Sequence, residues 1–328
     1  MSSPIGKKLS ALVVLLALAL LAAPLVGAPF QQVNAASDFE IDANGTLTKY
    51  NGIAASVKIP STVKTIGTSA FYENTHLVSV DIPGSVTAVG VSAFYGCTSL
   101  QSAYMTASVK TIGAGAFARC EKLSTLTMAN GVTSIGNEAF RGCEALTYVK
   151  LSTSLKTIGR EAFYRSGLTS LTLPSSVKTL GDRCFAQTNV TGVLLAGTFT
   201  AIPVGAFEDC TSLKQLVIPG HVTKIDNYAF SDCTALTNVT MADSVTDIGE
   251  HVFEKCTRLK TVKLSANLKE IGDYMFVDCP AIESITVPDS CTSIGSGAFQ
   301  RCTSLRSINF PSSVRMLGYY TFDGCTSL

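Results

Sequence analysis

The chain has 328 residues, of which 46% are hydrophobic and 15% charged, so it has the apolar content for a continuous core and is not a disordered chain. Its formal charge is +1, and Lys7 and Lys8 alone contribute two positive charges, which leaves the remainder at −1. A balance that close to zero supplies no overall field to attract nucleic acid or an anionic membrane, and neither is expected as a partner.

Residues 1–35 read as a secretory signal peptide. Lys7 and Lys8 form a positive start, Leu9 to Ala23 is a nearly unbroken apolar run, and Pro24 interrupts it. Small-residue cleavage patterns follow at Val26-Gly27-Ala28 and Val33-Asn34-Ala35, and the second is preferred because folded-looking sequence begins just after it. An uncleaved signal anchor is the other reading, though the run is short for a span of about 20 residues. No later run approaches that length, so no membrane span is expected once the signal is removed. Residues 36–55 read as a capping β-hairpin. Phe39 and Ile41 alternate with polar residues, and Asn44-Gly45 is the strongest two-residue hairpin signal. A stack of repeats needs such a cap over its first apolar cross-section.

From residue 56 to the end one motif recurs. Its register is marked by Phe71, Phe94, Phe117, Phe140, Phe163, Phe185, Phe207, Phe230, Phe253, Phe276, Phe299 and Phe322, with nine gaps of 23 residues and two of 22. A period of that size, held this long, means a solenoid. In one unit, Val80 and Ile82 alternate with Ser79 and Asp81 as in a half-buried strand, and Pro83 ends it. Val86 and Val89 turn back inward, and Gly90 allows close approach of the next coil. Val91 to Gly96 is compatible with one helical turn that buries Phe94. Stacked in register, the phenylalanines form a spine. The inward strand positions recur as Leu126 and Met128, Val149 and Leu151, Leu216 and Ile218, Val262 and Leu264, Ile285 and Val287, and Ile308 and Phe310. The expected fold is an α/β-type solenoid of about twelve coils of 22–23 residues, with one short parallel β-strand per coil and short helical turns or irregular segments on the opposite side.

The pattern Leu-x-x-Val-x-Ile-Pro-x-Ser-Val-x-x-Val-Gly-x-x-Ala-Phe-x-x-Cys, in a dozen copies over residues 56–328, resembles the BspA-type leucine-rich repeat, also called the Treponema pallidum type. The resemblance implies a bacterial or protist surface or secreted protein, in some members an adhesin. It bears weakly on the ligand, because the motif is made of core positions.

Nine cysteines stand three residues after the phenylalanine: Cys97, Cys120, Cys143, Cys210, Cys233, Cys256, Cys279, Cys302 and Cys325. Asn74, Ser166 and Thr188 take the same slot elsewhere, and Cys184 and Cys291 fill other core slots. Interchange with small polar residues favours buried free thiols as a structural ladder over disulfides between coils. There is no Cys-x-x-Cys, and His76, His221 and His251 do not cluster, so neither a metal nor any other cofactor is expected. A second column, just before the inward valine, holds Thr62, Ser85, Ser108, Ser154, Ser176, Thr198, Ser244, Asn267, Ser290 and Ser313, and reads as hydroxyl partners for backbone groups at a buried corner; His221 falls in the same slot.

The outward strand positions are the candidate binding face. Most are Ser, Thr, Asn or Gln, and the candidates among them are Tyr104, Tyr148, Lys150, Leu194, Val217 and Lys263. Leu194 lies in one of the two short repeats between Phe163 and Phe207, where Pro203 and then Asp226 also replace the usual glycine; Val217 is on the next strand. Glycines are spread one per coil, and no nucleophile–base set stands out, so catalysis is not expected. The functional expectation is recognition or adhesion, with an extracellular protein or glycan as partner. The alternative is a structural spacer or self-assembling surface protein. Residues 56–328 read as a repeat domain truncated at Thr326-Ser327-Leu328, where either a fragment ends or an open end associates with another molecule.

Overall fold

A computed structural model describes residues 36–328 with the exception of Ala107; the leader and its cleavage patterns lie outside the described residues. The hairpin is formed by Phe39–Ile41 and Thr46–Tyr50, antiparallel, with Phe39 opposite Tyr50. Gly45 takes the left-handed conformation (φ 80°) at its turn, as an Asn-Gly turn requires. Asp42 holds that turn by accepting from the Asn44 and Thr46 N–H groups at 2.9 and 2.8 Å.

The solenoid has one main parallel strand in nearly every coil, in the expected register. Ser56–Lys58, Ser79–Ile82, Ser102–Met105 and Thr125–Thr127 form four strands, paired residue i with i+23. Two more follow at Leu171–Leu173 and Val193–Leu195, paired i with i+22 through the short coil. Gln215–Ile218, Asn238–Met241 and Thr261–Lys263 make three, and Ser284–Thr286 with Ser307–Asn309 the last two. One expected strand is missing: residues 147–151 are unpaired, although Val149 and Leu151 still point inward and are buried.

Each coil also contributes a two-residue strand to a second ladder that the alternation pattern does not reveal. Thr65–Ile66, Ala88–Val89, Thr111–Ile112, Ser134–Ile135, Thr157–Ile158 and Thr179–Leu180 continue from the hairpin as one eight-stranded sheet. It stops before Ala201–Ile202, where a shorter ladder starts.

The expected helical turns are not found. The one helical segment among the described residues is the 3-10 turn Ala36–Asp38. The reason is in the backbone on either side of each phenylalanine. Ser92 and Gly96, two residues before and after Phe94, are left-handed (φ 52° and 68°), and the same holds at Ser69 and Glu73, Glu138 and Gly142, and Tyr274 and Asp278. A left-handed residue every fourth position ends a helix before it starts. The segment instead forms two tight turns. The Tyr95 and Cys97 N–H groups fold back to the Ser92 and Phe94 carbonyls, while the Ser92, Phe94 and Gly96 N–H groups donate forward to Ala114, Ala116 and Ala118 at 2.7–2.8 Å. This is a third ladder between coils, and it satisfies the backbone without a helix.

Inside, the rings stack as expected. Neighbouring phenylalanine centroids from Phe71 to Phe322 lie 4.7 to 5.7 Å apart with nearly parallel planes. Tyr50 extends the spine into the cap at 4.9 Å from Phe71, and Phe39 packs on Tyr50 at 5.0 Å. The hairpin therefore closes the core with the same kind of contact that propagates it.

The repeated glycine sets the coil separation. A Cβ on Gly136 would stand 2.6 Å from the Ala114 nitrogen and 2.7 Å from the Gly113 carbonyl carbon, both rigid backbone. On Gly220, in a turn, a Cβ would meet nothing within 4 Å. Gly136→Ala is expected to destabilise by about 1–3 kcal/mol through overpacking. Gly220→Ala is expected to be neutral or to stabilise by about 0.4–1 kcal/mol by restricting the unfolded chain. Thermal denaturation of the two variants checks the contrast, and equal melting temperatures would contradict it.

Candidate functional site

Two sets of singled-out residues point in opposite directions. The cysteine column points in. All eleven cysteines are free thiols. Each of the nine in the repeat slot donates its S–H to the phenylalanine carbonyl of the preceding coil: Cys97 to Phe71 at 3.1 Å, Cys120 to Phe94 at 3.1 Å, Cys143 to Phe117 at 3.2 Å, and so to Cys325 on Phe299 at 3.0 Å. That carbonyl already accepts the N–H of its own coil's cysteine, as Phe94 does from Cys97, so the thiol fills its second lone pair. The slot selects a small, weakly polar side chain, and the exchanges keep the size rather than the bond: the buried Ser166 hydroxyl has no partner. Asn74 donates to the Gly52 carbonyl at 3.2 Å, and Thr188 turns back to Phe185 at 2.9 Å.

The hydroxyl column works in this way at the other corner in some coils only, and the buried Ser85 and Ser313 hydroxyls have no partner. Ser176, Ser244 and Ser290 each donate at 2.7 Å to the carbonyl of the inward Leu or Val one coil earlier. His221 does not. Its ring sits edge-on to Phe199 at 5.1 Å, its Nε2 is buried without a partner, and burial pushes its pKa down. Phe199 itself fills the slot held by Val177 and Val222 in the neighbouring coils, a substitution that the sequence pattern did not flag.

The strand-face candidates point out. Tyr104 lies between Asp81 and Thr127, Leu194 beside Thr172, and Val217 in line with Thr240 and Lys263, all in one outward column. Lys150 continues that column in the unpaired coil, and Tyr148 stands in the parallel one. Tyr148 is 62% exposed, Leu194 54% and Val217 64%, whereas Tyr104 is half-buried. Leu194 and Val217 flank the point where one main sheet ends and the next begins. Gly192 leaves open space beside them. The structure thus aligns the six candidates on one face, spread over eight coils.

The turn side carries further ladders that strand alternation could not reveal. Tyr228, His251 and Tyr274 stack at 4.7 and 4.8 Å, and His251 Nδ1 lies 2.8 Å from Glu254 Oε2. Tyr72 stacks on Tyr95 at 5.2 Å, and Arg141 and Arg183 both pack on the Tyr164 ring. Their signal in the sequence is a fixed offset from the phenylalanine, two before or one after. A groove of about 500 Å³ runs over Gly249, Gly272 and Gly295, walled by Glu250, Glu270 and Asp273. The Asp273 carboxylate there accepts the Ser296 N–H at 2.7 Å, a structural task. Among the described residues no group of His, Cys, Asp and Glu is arranged to hold a metal ion, and no helix is long and apolar enough to cross a membrane.

The thiols carry a pH consequence. Burial raises the Cys210 pKa to about 11 and that of Cys302 to about 12, and moves Cys143, Cys233, Cys256 and Cys279 the same way. An acid whose pKa is higher folded than unfolded adds stability that is complete below the unfolded value and is lost as pH rises. The melting temperature is therefore expected to hold up to about pH 8.5, the unfolded thiol value, and to fall steeply between there and pH about 11. Ellman's reagent should leave the native chain largely unlabelled at pH 8 and count eleven thiols after denaturation. Fast native labelling would contradict the buried ladder.

Comparison with known proteins follows the same geometry. A family described as a BspA type leucine rich repeat region, in six copies, matches residues 49–166, 110–237 and 223–328. Comparison with curated protein sequences gives no match. Among solved structures, a leucine rich cell surface protein from Faecalibacterium prausnitzii is similar at 28% identity and TM-score 0.52, covering 88% of this chain and 91% of that one. A leucine-rich repeat protein from Bacteroides ovatus is similar at 25% identity and TM-score 0.46, covering 87% and 88%.

Proposed function

The chain belongs to the BspA-type leucine-rich repeat family, and from that premise we propose that it is a secreted or surface-displayed recognition protein. It binds an extracellular protein or glycan through the outward face of its main strands, and its role is adhesion or capture rather than catalysis. The similar Faecalibacterium protein is described as a cell surface protein, which supports the location. The apolar leader with its paired lysines supports export.

The observation that carries the reading is the exposure of Tyr148, Leu194 and Val217 on a strand face that is otherwise mostly polar or charged. The repeat constrains the inward positions and leaves these free. Large amphipathic or apolar side chains left in water cost solubility, and on a monomer they mark contact surfaces. The seam beside Leu194 interrupts the main sheet at this point. Lys150 and Lys263 flank the patch with charge, in the arrangement of a polar rim about an apolar centre.

The test is binding of the full chain to immobilised extracellular-matrix proteins and to a glycan array, compared with the triple variant Tyr148→Ala, Leu194→Asp, Val217→Asp. The expected outcome is a ligand whose affinity drops about thirtyfold or more in the variant, the size of a lost hot spot of about 2 kcal/mol. These side chains are exposed, so the variant should melt close to the parent. Unchanged affinity in the variant would remove this face from the proposal.

A further inference from the structure

The second ladder carries a charge pattern that the whole-chain balance hides. Its strands and the corner before them occupy residues 60–66, 83–89, 106–112, 129–135, 152–158 and 174–180 in the first six coils. These segments contain Lys64, Lys110, Lys156 and Lys178 and not one Asp or Glu. The corresponding segments of the last six coils hold Lys224, Lys269 and Arg315 against Asp243, Asp247, Glu270 and Asp289. The positive stretch is thus local, and it coincides with the unbroken eight-stranded sheet, ending where that sheet ends.

The geometry makes these lysines one line. Their slot is the residue just before each short strand, and the backbone is paired through it: Lys110 N–H to the Thr87 carbonyl, Lys156 N–H to Thr133 and Lys178 N–H to Lys156, each at 2.8 Å. In the intervening coils the slot holds threonine. Thr87 and Thr133 donate their hydroxyls to the Lys64 and Lys110 carbonyls at 3.3 and 3.1 Å, which leaves their oxygens as outward acceptors. All four lysines are exposed. None of them is ion-paired among the described residues, whereas Lys224 and Lys255 are. The line therefore has unspent charge at a regular interval on a rigid ladder.

We propose that this lysine–threonine stripe docks a linear anionic polysaccharide. This surface is distinct from the main strand face, so it stands or falls separately from the recognition reading above. Three properties select the occupant. Charges recur every two coils, about 10 Å at a strand spacing of about 4.8 Å, then once at a single coil. A polysaccharide bearing sulfate or uronate groups places its charges at intervals of one or two sugar rings, on the same scale. The six segments contain no aromatic residue, so there is no platform on which bases stack. Between the lysines, Thr65, Thr87, Thr111, Thr157 and Thr179 offer the hydroxyl partners that sugar hydroxyls use.

The full chain is tested against heparin as probe by isothermal titration or surface plasmon resonance, with neutral dextran and oligothymidylate beside it. The decisive variant is Lys64→Gln, Lys110→Gln, Lys156→Gln, Lys178→Gln. Its control is Lys58→Gln, Lys122→Gln, Lys214→Gln, Lys260→Gln, which removes the same charge away from that sheet. The expected result is heparin binding that weakens with salt, falls at least about tenfold in the stripe variant and stays within about twofold in the control. No heparin binding, equal loss in both variants, or equal binding of dextran would overturn the proposal. Oligothymidylate bound as tightly as heparin through the same lysines would overturn the choice of occupant. All eight substituted lysines are exposed, so both variants should keep the parent melting temperature.

Discussion

Each coil must lie in close contact with the next and in the same register, and the rest of the structure follows from that. A coil has no closed core of its own; its phenylalanine is stacked between the rings before and after it. Its backbone is satisfied in the same direction, through the main strand, the short strand and the turn ladder. Close contact requires glycine where backbones nearly touch, and a small donor where a phenylalanine carbonyl would otherwise keep a lone pair unpaired. The cysteines belong to this requirement. A thiol is small enough to be buried, donates weakly and leaves the apolar contacts around it intact.

The second short coil and the coil after it show the same constraint relaxed. Pro203 and Asp226 stand where glycine stands elsewhere, and the eight-stranded ladder ends just before them. Phe199 fills a valine slot, with Gly197 beneath it to make room, and His221 lies over that ring in place of a capping hydroxyl. These departures lie in adjacent coils, and Leu194 and Val217 face solvent at the same level of the stack. A local change in core packing and an unusual outer surface occur together here.

What could be read from the sequence, and what could not, divides along the same line. The spine, the thiol column and the parallel register were legible because packing demands the same residue at every repeat. Of the helical or irregular forms expected on the turn side the irregular one is found, and its left-handed positions are held by other residues three times as often as by Gly, eighteen to six in the coils, so no glycine signal marks them. The second ladder is not legible in the sequence, because two residues such as Thr111-Ile112 are too short to show alternation. Tyr50 hid in the hairpin because it lies 21 residues before Phe71, off the period. The outward column was legible as a face, since alternation assigns sides. Which of its residues meet a partner was not, because nothing in the fold repeats that choice. The lysine stripe does not show in the net charge, which sums over both halves of the chain.

Equal registers on both sides of every coil also make the unit interchangeable. Residues paired i with i+23 present the same donors, acceptors and ring to whichever neighbour arrives. Removing one whole repeat would leave the flanking coils able to join, with spine and ladders continuous. Surface patterns with a two-coil beat have no such tolerance. Losing the coil that carries Thr87 would bring Lys64 and Lys110 onto adjacent rungs and change the spacing presented to a partner. Gene duplication and deletion can thus lengthen or shorten this molecule at little cost to folding while retuning what it displays.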